Sequence, residues 1–240
     1  MKRLLPLLLI ALFVAKAAAT EQKITQAEEL YRLGKFSAAL GTYEEILKNH
    51  PKDPFLYYNI GNCYFKMGSK GLAAANYYRA FELAPRDEDI RHNLSLVLAQ
   101  SGEKFVPAGI PVVLHRAFFA LSLAELKGFV YLLFWGLCFV GLVGIIRRRW
   151  NWYTTLVLFI FLISTGWLYA RERLTQKERA VIASPVAEIR SGPGTNFPAS
   201  ASAAQGHLVI IEDAKDMWYE VILKSKGIKG WIEKNAVEKI

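Results

Sequence analysis

Two long apolar stretches stand almost side by side near the middle of the chain, Gly128–Ile146 and Trp152–Ala170. Each contains about 19 residues with no ionised side chain, which is close to the length an α-helix needs to cross the hydrocarbon core of a bilayer. Only residues 147–151 join them, a connector too short to form a domain. The pattern therefore predicts a hairpin of two transmembrane helices, with the soluble parts before and after it on the same side of the membrane.

Positive charge predicts which side that is, because short loops rich in Lys and Arg stay in the cytoplasm. The connector carries Arg147, Arg148 and Arg149 and so predicts a cytoplasmic turn. Cations also follow the second stretch, at Arg171, Arg173, Lys177 and Arg179. The N-terminus decides between the two orientations. Residues 1–19 have a basic start, an apolar centre and a small-residue end, the pattern of a signal peptide.

That signal implies export, whether it is cleaved or remains as an anchor helix, which is the alternative interpretation. In a bacterium the chain would then lie in the inner (cytoplasmic) membrane with both soluble domains in the periplasm. The net charge of +9 agrees with this view, because most of the excess lies in residues 1–19 and 114–170. Neither soluble part has the basic excess of a nucleic-acid-binding domain, so we expect no nucleic-acid partner.

The remaining composition predicts neither a disulfide framework nor a metal site. Cys63 and Cys138 lie in different parts of the chain, the second inside an apolar stretch. The four histidines are scattered, and the sequence has no group of ligands at metal-binding spacing. We therefore expect no metal and no cofactor.

A period of 34 residues runs through residues 20–102. It relates Gly34 to Gly68, Ala39 to Ala73, Tyr43 to Tyr77 and Pro51 to Pro85. Small residues let paired helices approach, glycine provides the turn, and proline ends the second helix because it lacks a backbone donor. The pattern predicts two repeats, 20–53 and 54–87, and a capping helix over 88–101. The predicted helices are Glu21–Leu33, Ser37–Asn49, Pro54–Met67, Gly71–Leu83 and Glu88–Ser101.

This period and these positions resemble the tetratricopeptide repeat, an all-α helix-turn-helix unit. The resemblance implies no chemistry of its own but a groove, formed by the first helices, that holds a peptide or protein partner. Asn62 and Asn93 resemble the asparagines that some of these domains use on a peptide backbone. The alternative is that these amides cap or bridge neighbouring helices. The groove residues implied by the resemblance are Glu28, Tyr31, Phe55, Tyr58, Asn59, Asn62, Phe65, Lys66 and Asn93.

Residues 103–127 form a linker. Its first part holds Pro107, Gly109 and Pro111 and is typical of a semi-extended spacer. Leu114–Leu121 is apolar with two polar residues, so it could lie at the membrane interface. Ser122 and Glu125 have the spacing of a capping box at the start of a helix.

Short β-rich runs separated by turn residues fill residues 171–240 and predict a small all-β sandwich or barrel. The predicted strands are Ala180–Ala183, Ala187–Arg190, Leu208–Glu212, Tyr219–Lys224, Lys229–Ile232 and Ala236–Glu238. The run Arg190-Ser191-Gly192-Pro193 with Phe197, then Trp218-Tyr219 and Gly230-Trp231-Ile232, resembles the bacterial SH3-like (SH3b) domain. The resemblance implies a site for cell-wall peptides or proteins at Arg190, Phe197, Trp218 and Trp231. The alternative is that one or both tryptophans fill the core, and we expect Trp231 to be mainly structural.

The whole order of segments resembles the E-type protein of the aerotolerance (Bat) operons. The fold class is then a multidomain membrane protein, with an all-α repeat domain, two transmembrane helices and a small all-β SH3-like barrel. Membership implies a non-catalytic scaffold in an envelope or stress-related complex. Its partners would be membrane proteins with von Willebrand factor A domains and a MoxR-type ATPase. The alternative function is a cell-wall anchor or sensor that holds a peptidoglycan peptide. In both, we expect two binding modules tethered a short distance apart and no enzyme activity.

Overall fold

A computed structural model describes residues 5–107, 109–147, 152–223 and 225–240, with the side chains of residues 5–15 and 17 left aside. Within it the chain forms a helical repeat domain, two long apolar helices and a C-terminal antiparallel sheet. The predicted cytoplasmic turn at Arg147, Arg148 and Arg149 lies almost wholly outside the described residues.

Five helices build the repeat domain, and each packs on the next along the chain. They are α1 (Leu5–Arg32), α2 (Phe36–Leu47), α3 (Pro54–Lys66), α4 (Lys70–Leu83) and α5 (Glu88–Gln100). Gly34 and Gly68 adopt φ values of 76° and 80°, a conformation that other residues rarely take. The predicted boundaries agree with the structure within two residues, except at the start of α1.

The first helix begins at Leu5 instead of the predicted Glu21, so the signal-like segment and the first repeat helix are continuous. No glycine or proline lies between residues 7 and 33 to end the helix, and Ala17–Ala19 favour it. Among the described side chains of α1, those that pack on the repeat core are Ile24, Ala27, Leu30 and Tyr31. The packed part of α1 is therefore the part that the 34-residue period predicted.

The next segments are α6 (Val112–Phe118), α7 (Leu123–Arg147) and α8 (Trp152–Gln176). The capping box is confirmed, since the Ser122 amide donates to Glu125 at 2.8 Å and the Glu125 amide to Ser122 at 3.2 Å. Both long helices extend beyond the predicted spans, because charged and polar residues continue the helical turns at their paired ends. A salt bridge of 2.9 Å joins Lys127 of α7 to Glu172 of α8 at those ends.

Seven strands form one antiparallel sheet in the order β3-β2-β6-β5-β4-β1-β7. They are β1 (Arg179–Ile182), β2 (Val186–Arg190), β3 (Ala199–Ala204), β4 (Leu208–Lys215), β5 (Trp218–Leu223), β6 (Ile228–Glu233) and β7 (Val237–Lys239). Side chains from all seven share one buried cluster, which requires the sheet to curl around it. The predicted all-β content of this part is confirmed, and the structure shows that the strands pair antiparallel. The sequence analysis missed β3, because its Ala-Ser sequence has low β-propensity and only Ala203 is fully buried.

The sheet domain is packed directly against the repeat domain, and the two are not merely tethered as expected. Val181 of β1 is fully buried inside the core cluster of the repeat helices. At the rim, Arg79 of α4 pairs with Glu238 of β7 at 2.5 Å, and Arg179 pairs with Glu82. The Ser101 hydroxyl donates to the Gln205 carbonyl at 2.8 Å. The contact runs along α4, so the sheet domain covers the second helix of the second repeat.

Candidate functional site

A cavity of about 170 Å³ lies between the first helices of the repeats, α1, α3 and α5. Five of the nine predicted groove residues line it: Tyr31, Asn62, Phe65, Lys66 and Asn93. The sequence analysis missed three further lining residues, Tyr77, Leu96 and Val97. Leu96 and Val97 lie three and four positions after Asn93, so helical spacing from Asn93 would have identified them.

Hydrogen bonds between side chains form the floor of this cavity. Asn62 accepts from the Tyr77 hydroxyl at 2.7 Å and from the Asn93 amide at 3.0 Å. The Asn93 amide also approaches the Tyr58 hydroxyl at 3.1 Å. Burial raises the pKa of Tyr77, so its hydroxyl stays protonated and remains a donor. Asn62 and Asn93 therefore bridge α3 to α5. This agrees with the alternative interpretation of the sequence, in which these amides bridge helices.

The other predicted groove residues lie beside the cavity or outside it. Tyr58 borders it through the bond to Asn93, and the Asn59 side chain meets the Asn62 amide at 3.4 Å. Glu28 is exposed on α1, and Phe55 at the start of α3 is 40% exposed. Neither of these two lines the cavity. The predicted groove residues that line the cavity thus lie on α1, α3 and α5, and the extent of the groove beyond the cavity stays a prediction.

The side chains that line the cavity differ in chemical character. The cavity offers amides, phenol and phenyl rings and one exposed ammonium group at Lys66. Nearby Cys63 is fully buried, and burial raises the pKa of its thiol to about 11. Such a thiol is protonated at neutral pH and is a poor nucleophile. Among the described residues, no three His, Cys, Asp or Glu side chains come together to hold a metal ion.

The Arg-Ser-Gly-Pro motif forms a closed loop at the end of β2. The Arg190 guanidinium donates to the carbonyl oxygens of Thr195 and Phe197 at 3.1 and 2.7 Å. The Phe197 ring lies so close to Gly192 that an added Cβ would stand 2.5 Å from it. Arg190 thus holds the loop of residues 191–197 in place. Position 192 requires glycine because the Phe197 ring leaves no room for a side chain there. Phe197 itself remains 38% exposed.

The two tryptophans of the predicted site lie on the outer face of the sheet. Gly230 and Ile232 are buried, so Trp231 between them points outward, and it is partly exposed. Its register partners on the neighbouring strands are Arg190 and Glu220. Trp231 therefore does not belong to the buried core cluster of the sheet, and its mainly structural role stays a prediction. Trp218 also points outward, because it alternates with the inward residues of β5. It is nevertheless buried, with 8% of its surface exposed.

No protein-family model matches the chain. Tetratricopeptide repeat protein 16 of Homo sapiens is 29% identical over 76 residues, which are 32% of this chain and 9% of that protein. Protein arginine N-methyltransferase 9 of Mus musculus is 34% identical over 67 residues, 28% of this chain and 8% of that protein. The chain thus spans less than a tenth of these relatives. The similarity to a protein named for the tetratricopeptide repeat agrees with the 34-residue period.

Among solved structures, the type III secretion chaperone SycD of Yersinia enterocolitica, in complex with a peptide of the translocator YopD, is 16% identical. It aligns with 66% of this chain and 96% of its own, at a TM-score of 0.35. A second SycD structure is 22% identical over 36% of this chain and 65% of its own, also at 0.35.

Proposed function

We propose that this chain is a non-catalytic, membrane-anchored scaffold whose repeat groove binds a segment of a protein partner. The observation that carries the proposal is the convergence of Tyr31, Asn62, Phe65, Lys66 and Asn93 on one open cavity. These residues come from three helices that the repeat places side by side. The sheet domain packs mainly on α4 and meets the end of α5 at Ser101. No described residue of the sheet domain lines the cavity, so its open side is left to a partner.

The groove suits an extended peptide segment. An amide side chain carries both donors and an acceptor, as does each unit of a peptide backbone. The bonds of Asn93 to Asn62 and Tyr58 can be exchanged for bonds to the partner with little net change in free energy. Phe65 and Leu96 add apolar contact, and Lys66 favours an acidic residue in the bound segment.

The double variant Lys66→Ala/Asn93→Ala tests the groove. In living cells that produce the chain, we expect the affinity for the cross-linked partner to fall about thirtyfold, since each of the two lost polar contacts costs about 1 kcal/mol. The control is Lys48→Ala/Asn49→Ala, the same two residue types at the exposed end of α2. Equal cross-linking by the groove variant and the control would contradict the proposal.

The resemblance to the aerotolerance operon protein suggests which partners to look for. Mass spectrometry of the cross-linked species is expected to identify an envelope protein, first of all a membrane protein with a von Willebrand factor A domain.

The exposed surfaces of α7 and α8 support the membrane anchor. By length and composition both helices could cross a membrane. Large apolar side chains are left uncovered on both, for example Trp135 and Phe139, which are 70% and 68% exposed. Apolar surface of this extent is stable next to lipid and unfavourable in water. We place the ends at Leu123 and Gln176 on the outer side of the membrane, together with both soluble domains.

Alkaline phosphatase fusions test this orientation. We expect fusions after Glu103 and after Ile240 to be active, because the enzyme folds only outside the cytoplasm, and a fusion after Asn151 to be inactive. The opposite pattern would move both soluble domains to the cytoplasm.

A second candidate function is a cell-wall anchor, and the partly exposed Trp231 and Phe197 favour it. If the sheet domain is SH3-like and holds a peptidoglycan peptide, the full chain should sediment with purified sacculi, and Trp231→Ala should reduce the bound fraction. If Trp231→Ala sediments with sacculi as completely as the unchanged chain, the face that carries Trp231 is excluded as the binding site.

A further inference from the structure

A cavity of about 1070 Å³ lies where the soluble domains meet the paired ends of α7 and α8. Its walls come from α4, the linker and α6, the start of α7, the end of α8, and β4. Most of them are apolar or aromatic, including Phe81, Phe105, Phe119 and Leu208. The volume is at the upper end of the range for ligand sites in proteins, which is about 300–1,000 Å³.

The charged residues that line this cavity are mostly cationic. Lys104, Arg171, Lys177 and Arg179 face one acidic lining residue, Glu82, which is already paired with Arg179. Lys104 and Lys177 are exposed and form the rim. The excess of positive charge in an apolar chamber is suited to an anionic ligand with an apolar part.

Two buried nitrogen atoms among the lining residues have no hydrogen-bond partner within the described structure, Arg179 Nε and His115 Nδ1. An unpaired buried donor costs about 1–3 kcal/mol, so a ligand that accepts from Arg179 Nε would recover this energy. Arg171 is 5% exposed, and its guanidinium donates to the carbonyl oxygens of Phe118 and Leu121, both at 3.0 Å. The cation of Arg171 is thus held in place by Phe118 and Leu121 while Arg171 lines the cavity.

The cavity lies at the level where membrane and water would meet. Trp167, a lining residue near the end of α8, donates its indole N–H to the Phe118 carbonyl at 3.0 Å, as an interfacial tryptophan does. Beside the cavity, α6 and the residues before it expose Ile110, Val113 and Leu114 by 46%, 75% and 61%. These exposed apolar residues are stabilised if they enter the lipid surface, which places the lining segment against the outer leaflet.

We propose that this cavity binds one anionic phospholipid of the surrounding leaflet, with its phosphate near Arg179, Lys104 and Lys177 and the start of its acyl chains against the aromatic wall. The inference rests on the membrane anchor proposed above. The bound lipid would fill the space between the repeat helices, the sheet domain and the hairpin, and would couple their positions.

Native mass spectrometry tests the site. The full chain is placed in nanodiscs of phosphatidylcholine with one fifth phosphatidylglycerol and released into detergent. We expect one retained phosphatidylglycerol per chain in preference to phosphatidylcholine. Lys104→Gln/Lys177→Gln should lower the affinity for the retained lipid about twenty-five-fold, since each cation near a lipid surface contributes about a fivefold change. Ala117→Trp, which fills the cavity from its exposed wall, should abolish retention.

The matched control is Arg116→Gln/Arg173→Gln, which removes two exposed cations of the same region that do not line the cavity. If the control lost as much retained phosphatidylglycerol, the loss would be explained by general attraction between surface cations and anionic lipid, and the proposal would be overturned. Equal retention of both lipids, or preference for a diacylated lipopeptide over phosphatidylglycerol, would also overturn it. Resistance of the chain to carbonate extraction is measured in parallel. An integrated chain without lipid preference contradicts the site alone, whereas a chain that is extracted contradicts the membrane anchor as well.

Discussion

Gly71→Ala is expected to separate the repeat helices from the sheet domain. Gly71 lies at the start of α4, and a Cβ there would stand 2.2 Å from the Ile182 carbonyl oxygen and 2.8 Å from the Ala183 Cα. Both atoms belong to backbone, so no side-chain rotation can relieve the overlap. Overpacking of this kind costs about 1–3 kcal/mol, enough to open the contact that buries Val181.

The measurement is cross-linking between the domains. Arg79 and Glu238 form an ion pair between the two domains. Each is replaced by cysteine, and a short bismaleimide cross-links the two cysteines. Cys63 and Cys138 are first replaced by serine. We expect Gly71→Ala to reduce the cross-linked fraction at least tenfold. The control is Gly41→Ala in α2, where nothing lies within 4 Å of an added Cβ. There alanine should stabilise the helix by about 0.5–1 kcal/mol and leave cross-linking unchanged. Equal cross-linking of all three proteins would show that the two domains do not depend on this contact.

Tyr77→Ala is expected to destabilise the repeat domain by about 3–5 kcal/mol, the usual cost of removing a buried aromatic ring. The Tyr77 side chain is 1% exposed and lies against Gly61, at a position where a Cβ would come within 2.7 Å of the ring. Its hydroxyl also supports Asn62 at the floor of the groove. One substitution therefore removes a core contact and part of the proposed binding site.

Two further variants separate these effects, and pulse proteolysis in urea measures the stability of the repeat domain in each. Tyr77→Phe keeps the ring and should cost about 1 kcal/mol, because Asn62 still accepts from Asn93. Phe55→Ala, which removes a ring that is 40% exposed, should cost less than about 1 kcal/mol. If Tyr77→Ala were as stable as Phe55→Ala, the ring would not be the main contact between α3 and α4.

The helices could be predicted closely because local chemistry determines them. Asp87 caps α5 through a bond to the Ile90 amide at 3.1 Å, and Gly102 after its end adopts a φ of 77°. These interactions join residues only a few positions apart, so their residue types and spacing are visible in the sequence. The strand β3 was missed for the corresponding reason. Its alanines and serines have little strand preference, and pairing with β2 places them in the sheet.

The candidate site could be predicted only in part. The resemblance to the tetratricopeptide repeat pointed to Asn62 on α3 and Asn93 on α5, and the structure brings their side chains within hydrogen-bond distance. The period did not show that Glu28 and Phe55 would lie outside the cavity, or that Tyr77 would reach its floor. These outcomes depend on how far each helix is rotated against its neighbours, which side-chain packing decides.

The sequence by itself therefore determined the kinds of element, their order and most of their boundaries, because propensity, capping and hydrophobic period act over a few residues. Only the tertiary structure decided that the sheet domain packs on α4 and that a large cationic cavity forms beside the apolar hairpin. Arg79 and Glu238, or Arg171 and the Phe118 carbonyl, are far apart along the chain. Their contacts arise from the shape complementarity of surfaces that exist only after each part has folded, and two apolar stretches with a short connector do not reveal them.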